Sequence, residues 1–423
     1  MAMMRDAKDV RSRRGPALGA ALALAMVLSA CQIPLGQVGF DNTNTSSNAN
    51  ETTLNASNVS TIVAKFDLNL SAYGVGGDLG EPVLAGNGNV IVIANNDVIS
   101  VTPAGAIAWR KTIADPKPSI NAPHLLSAYG GESTVDVVVD AKAQGAAPGY
   151  VGGSIVKLDN ATGAVTATEA TFRPAAPIGY ANDGLVVTGL VVNHASYGAG
   201  RTVTIDVAGS GRRIIRNAEG DVQKPAVAGD QLVVAVGDTI YRWSAPCATG
   251  TVCNESTAAK TNVPIATRPV LVGTTVYVTG AEGRTFYAIG PNGAVLWTAN
   301  PGNFPGTVST SSAAGMAFVG NVNGQLFGFP LDGCGAATCA YRYVNVLGGG
   351  ARSAPTLANG LAYLMADQTL KVIRTDCKLT EDCPAKKSIS LSGSIGGSSR
   401  QILVKDGRIH VLTNDGHLRS WGL

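Results

Sequence analysis

The sequence predicts an all-β protein, an eight-bladed β-propeller of four-stranded antiparallel blades, and three observations predict it. The first is the stretch Arg268 to Gly302, which carries four strand signals in 35 residues. Pro269–Val272 is apolar, Gly273 opens a turn, Val276–Thr279 is β-branched and aromatic, and Glu282-Gly283 turns again. Thr285–Ile289 follows, then an Asn292-Gly293 hairpin signal and a last strand with Trp297. One such sheet cannot stand alone and needs copies of itself. The second observation supplies the copies. A Pro-apolar-apolar phrase recurs, anchored at Pro82, Pro123, Pro177, Pro225, Pro269, Ser311, Pro355 and Gln401, at spacings of 41, 54, 48, 44, 42, 44 and 46 residues. The third concerns ring closure. The last repeat has three strand signals (Gln401–Val404, Arg408–Leu412, His417–Trp421), and an orphan strand signal, Thr61–Leu70, precedes the first repeat. Its alternation (Ile62, Ala64, Phe66, Leu68, Leu70) suits a half-buried strand that completes the eighth blade and pairs both edges of the seam.

Taken in order, residues 1–30 read as a signal peptide. Arg5, Lys8, Arg11, Arg13 and Arg14 form a basic region, and Ala17–Leu28 is an apolar run too short for a comfortable membrane span. It ends in Leu28-Ser29-Ala30-Cys31, which resembles the lipobox of bacterial lipoproteins, where cleavage leaves the cysteine to carry lipid. Cys31 is therefore the expected lipidation site. Gln32 after it, where family members retained at the inner membrane often carry Asp, favours the outer membrane. Removal of residues 1–30 takes five basic and two acidic residues from the 32 and 29 of the full chain, leaving 27 of each. No basic field then argues for nucleic acid. Asn, Ser and Thr dominate residues 41–61, so residues 31–60 read as the lipidated Cys with a flexible tether, and residues 61–423 as the propeller.

Six further cysteines fall in three close pairs, Cys247/Cys253, Cys334/Cys339 and Cys377/Cys383, each in the link between third and fourth strands of its repeat. Local disulfides are the simplest pairing and imply an oxidising compartment. In the chain-entropy treatment, loops this short contribute about 2 kcal/mol each. Metal binding is the competing reading. It is disfavoured because the pairs lie on different blades and the chain has only His124, His194, His410 and His417.

The same link carries a second signature. Lys157-Leu158-Asp159-Asn160-Ala161-Thr162-Gly163, ending at Ala167, resembles the docking motif of pyrroloquinoline-quinone-type (PQQ-like) repeat propellers, with Ala where Trp is usual. Shorter forms end at Trp109 and Trp297. In that family the Trp packs between neighbouring blades. The resemblance covers residues 61–423 and bears on fold; enzymes and scaffolds share the repeat. The family's quinone-dependent dehydrogenases use adjacent cysteines, a Trp under the cofactor, calcium ligands and an Asp base. This chain has no adjacent cysteines, and its acidic residues fall mostly in turns such as Asn96-Asp97, Asn182-Asp183 and Asp406-Gly407. The lipobox and the ending Asp406-Gly407-Arg408-Ile409-His410-Val411-Leu412, with Asp415-Gly416-His417-Leu418, are similar instead to the BamB-type lipoproteins of the outer-membrane β-barrel assembly machinery.

The expectation is a protein without catalytic residues, cofactor or metal: an outer-membrane lipoprotein, on the periplasmic rather than the surface side, that binds other proteins. Candidate partners are the barrel-assembly proteins, and the membrane is met through the N-terminal lipid. An adhesion or sensor propeller of the cell envelope or surface is one alternative, and a PQQ-dependent dehydrogenase, the less favoured, is the other. Because the first strand of each blade lines the axis in such rings, Glu81, Lys224, Arg268, Arg352 and Arg400, with His124 and Arg173 near them, are expected at one mouth of the channel as a mainly basic rim for a partner. Tyr129, Tyr150 and Tyr197 are loop aromatics that could serve the same end.

Overall fold

The computed structural model describes residues 41, 43–113, 124–140, 152–172, 179–181, 184–192, 201–207, 211–216, 222–229, 231–243, 255–280, 285–300, 302, 308–311, 314–351, 353–378, 383–393 and 401–423. Residues 1–30, the expected lipidation site Cys31, Cys247, Cys253, Arg173, Arg352, Arg400, Tyr150 and Tyr197 lie outside the described residues.

The described residues form eight sheets joined in chain order. Sheet one is Val83–Leu84, Val90–Ala94, Asp97–Val101 and Ile107–Thr112. Sheet two is His124–Gly130, Thr134–Asp140, Gly152–Asp159 and Val165–Phe172; sheet three is Gly179–Ala181, Gly184–Val192, Arg201–Val207 and Gly211–Arg216. Sheet four is Ala226–Ala228, Gln231–Val236, Thr239–Trp243 and Thr257–Lys260; sheet five is Val270–Val272, Thr275–Thr279, Phe286–Ile289 and Val295–Ala299. Sheet six is Ser309–Ser311, Met316–Gly320, Gln325–Pro330 and Tyr343–Val346; sheet seven is Thr356–Ala358, Leu361–Ala366, Thr369–Arg374 and Lys387–Ser390. Sheet eight is Leu403–Lys405, Arg408–Leu412 and His417–Gly422, with Val63–Asn69 as its outer strand. Short turns with Gly, Asn or Asp at positive φ (Asn359, Asp406 and Gly407 among them) join the strands, as hairpins require.

The fold is an all-β propeller of meandering antiparallel sheets, as the repeats predict. The core lies between the sheets. Val83, Ile91 and Val98 of sheet one pack on Val135, Val137 and Leu158 of sheet two. Sheets four and five, five and six, six and seven, and seven and eight are joined in the same way. Leu403, Leu412 and Leu418 of sheet eight meet Val90, Val92 and Ile99 of sheet one, which closes the ring.

The outer strand of one sheet also docks on the turn between third and fourth strands of the next. The Trp109 indole N–H donates to the Asn160 carbonyl at 2.8 Å. Its ring covers Gly163, where an added Cβ would come within 2.6 Å of it. That turn is held by Asp159, which accepts from the Thr162 amide and hydroxyl. Trp297 covers Gly333 in the same way, 2.7 Å from a would-be Cβ. The packing expected of these two Trp residues is therefore present. At the seam the equivalent position is Phe66, whose ring lies over Gly105 at 2.4 Å from a would-be Cβ. Phe66 thus takes at the seam the place that Trp holds on sheets one and five.

The seam pairs Val63–Asn69 antiparallel with His417–Gly422. Asp67 accepts from His417 Nδ1 at 2.6 Å and Arg419 Nε at 3.0 Å, and Arg419 also reaches Ser392 and Asp415. Two anchors shift in detail. The first strand of sheet six begins at Ser309, so Val308, not Ser311, is the residue that precedes it; the phrase there lacks its proline and the alignment slipped by three. Likewise Ile402, not Gln401, immediately precedes the first strand of sheet eight.

Candidate functional site

The first strands of neighbouring sheets touch one another, so these strands line the axis. A first strand leaves one side unpaired, and its N–H and C=O groups need partners. The chain supplies them itself. The expectation of a flexible tether over residues 31–60 is corrected from Thr43 onward: this segment lies in the axial channel. The Thr43 carbonyl accepts from the Leu271 amide of sheet five, Thr45 from Thr310 of sheet six, and Ser46 from Leu357 of sheet seven. Ser47–Asn48 then pairs parallel with Leu357–Ala358 as a fifth strand of sheet seven. Asn44 and Ser46 take left-handed φ values of 61° and 53°, which curl the chain from sheet to sheet; Asn tolerates that conformation better than most residues.

Polar side chains finish the fit. Asn44 Nδ2 donates to the carbonyls of Pro225 (3.0 Å) and Pro269 (2.9 Å), which precede the first strands of sheets four and five. Asn48 Nδ2 donates to the Val404 carbonyl of sheet eight. Asp41 accepts from the amides of Thr43 and Thr45 and from both hydroxyls. Elsewhere around the axis, Ser309 donates to the Pro355 carbonyl, Thr356 to Ile402 and Gln401 to Pro82, so the sheets are also tied directly.

The described members of the predicted rim, Glu81, Lys224 and Arg268, sit at the starts of first strands, but they do not form an open rim. Lys224 and Arg268 are 2% and 5% exposed. Lys224 Nζ donates to Asn44 Oδ1 at 2.5 Å, and Arg268 to Ser46 Oγ at 3.2 Å. Arg268 of sheet five also meets Glu81 of sheet one at 3.6 Å, an ion pair that crosses the axis. Burial, then the neighbouring Arg268 charge, lowers the Lys224 ammonium to about 7 against the pull of Asp41 and Glu81. Burial likewise lowers Arg268, opposed by Glu81 and Asp41. His124 lies on the first strand of sheet two, and Tyr129 on the same strand is partly buried.

The disulfides Cys334–Cys339 and Cys377–Cys383 are formed, with Cα–Cα distances of 5.6 and 6.2 Å. Each staples a link between third and fourth strands, as the sequence placed them. Among the described residues no group of three or more His, Cys, Asp or Glu could hold a metal.

No protein-family model and no curated protein sequence matches the chain. Solved structures do. The quinohemoprotein alcohol dehydrogenase from Comamonas testosteroni is 11% identical, with a TM-score of 0.66 over 95% of this chain and 84% of that one. A europium-containing methanol dehydrogenase is 9% identical, with a TM-score of 0.64 over 94% and 100%. BamB from Moraxella catarrhalis is 11% identical, with a TM-score of 0.53 over 86% and 98%. At these identities the likeness is one of fold: the chain is a β-propeller, similar in architecture to BamB and to the dehydrogenases.

The quinohemoprotein and the europium-containing enzyme raise a quinone and a metal ion as groups to test against this axis. The described residues at the axis do not fit them. The axis is filled by Asn44–Asn48, both described disulfides bridge non-adjacent cysteines, and the carboxylates Asp41 and Glu81 are engaged with this chain's own hydroxyls, amides and guanidinium.

Proposed function

We propose that the chain is a non-catalytic, lipid-anchored outer-membrane scaffold that binds other proteins, with outer-membrane protein assembly as its leading role. One observation carries this reading. The channel, where a ring of this kind could hold a small ligand, is occupied by the protein's own segment, and Lys224, Arg268 and Glu81 are spent on holding it. Binding then falls to the outer surfaces. There Val295 and Leu296 on the outer strand of sheet five and Val346 on that of sheet six are exposed, Val346 to 78%. The Leu28-Ser29-Ala30-Cys31 motif supports the anchor, and the disulfides suit a periplasmic location.

The test is a mild-detergent pull-down of the native lipoprotein from membranes, with bound proteins identified by mass spectrometry. Recovery of the barrel-assembly insertase at amounts comparable with the bait supports the reading. Recovery of the propeller alone, or with surface-layer components, moves the role to adhesion or sensing.

A further inference from the structure

The segment in the channel has a direction. It runs parallel to the first strand of sheet seven, so it travels the way the first strands travel. Asn44 lies at the starts of first strands, beside Pro225, Pro269 and Lys224. By Glu51 the chain has reached their far ends: Glu51 accepts from the Gly407 amide, and Asn359 donates to the Leu54 carbonyl, both in turns between first and second strands. The chain then turns along the outlet side through Val59–Thr61 and enters sheet eight at Val63. It has passed through its own ring from one face to the other.

The two faces differ. Antiparallel order puts the starts of the first strands and the turns between second and third strands, such as Asp367-Gln368, on the inlet face. The turns between third and fourth strands lie on the outlet face, with the Cys334–Cys339 and Cys377–Cys383 staples. The N-terminal end of the thread therefore leaves from the unstapled face, at the axis.

Resting on the lipid-anchor reading of Cys31, we propose that the inlet face is apposed to the lipid bilayer and the stapled face points away from it. Chain length decides the matter. Ten residues run from Gln32 to Asp41. Fully extended they reach at most about 35 Å. To place the bilayer on the stapled side they would first have to cross from the axis past four strands, about 20 Å with side chains at a spacing near 4.8 Å. They would then descend the depth of a strand, a further ~20 Å. That path, about 40 Å, exceeds their reach.

The test uses the full mature lipoprotein in vesicles of phosphatidylethanolamine and phosphatidylglycerol carrying a fluorescent acceptor lipid. A donor dye is attached through a clickable non-natural residue at Gln368 on the inlet face or at Ala336 in the stapled loop, both exposed. Vesicle flotation is read first, on the same samples. A protein that floats and loses more donor emission from position 368 than from 336 fits the proposal. Flotation with equal loss, or with greater loss from 336, overturns the proposal and leaves the anchor standing. Failure to float, with no difference from a Cys31→Ala variant, overturns both.

Discussion

Asn44 is the side chain on which the channel segment turns, and its removal has a calculable cost. It is fully buried and makes three hydrogen bonds: two from Nδ2 to the Pro225 and Pro269 carbonyls, and one accepted from the Lys224 ammonium at 2.5 Å. Asn44→Ala leaves two carbonyls and a cation in the channel without that partner. A buried polar group stranded in this way costs roughly 1–3 kcal/mol, more when charged, so the variant should lose about 3–6 kcal/mol. Asn44→Asp separates the parts. It keeps the acceptor for Lys224 but turns an oxygen toward two carbonyls, so it too should destabilise. Adding Lys224→Met to Asn44→Ala should recover part of the loss, because the buried ammonium that lost one acceptor is gone. Guanidinium unfolding of the oxidised protein followed by tryptophan fluorescence measures each variant. An Asn44→Ala protein within ~0.5 kcal/mol of the parent would refute the claim that this residue is locked in the ring.

Other outcomes follow from the same geometry. Trp109→Ala and Trp297→Ala should each cost about 3–5 kcal/mol by denaturation, since each empties the space over the next sheet's turn. Phe66→Ala should act likewise at the seam, and deletion of residues 61–70 should destabilise the whole ring; unchanged melting of the deletion would contradict the closure by Val63–Asn69. Lys224 gives a pH dependence. Its folded value, about 7, lies below the 10.5 of the unfolded chain, so between those values the unfolded state binds more protons and stability rises with pH. The slope is at most about 1.4 kcal/mol per pH unit and should vanish in Lys224→Met. Reduction of the oxidised protein should cost about 2 kcal/mol per staple, read as a fall in the denaturation midpoint.

Most of the ring was legible because its determinants are local. Glycines and Asn at positive φ mark the hairpins, β-branched runs mark the strands, and Trp109, Trp297 and the paired cysteines sit at fixed offsets from them. Phe66 was harder, since the seam replaces the Trp of sheets one and five with another aromatic on a strand far away in sequence. The channel segment was read wrongly for a physical reason. A run of Asn, Ser and Thr ordinarily has too little apolar surface to fold. An axis lined by strand N–H and C=O groups inverts that rule, because such side chains are what satisfies it. The same misreading turned Lys224 and Arg268 into a rim. Their position followed from the repeat, but their partners, Asn44 and Ser46, lie 180 and 222 residues away in sequence.

Hydrogen–deuterium exchange of the mature protein, followed by mass spectrometry of peptides covering residues 43–54, tests the central claim most directly. A segment threaded through the ring should exchange as slowly as the first strands that hold it, Val270–Val272 and Thr356–Ala358, and the Asn44→Ala variant should speed its exchange. Exchange of residues 43–54 at the rate of a free chain, with the first strands still protected, would contradict the account.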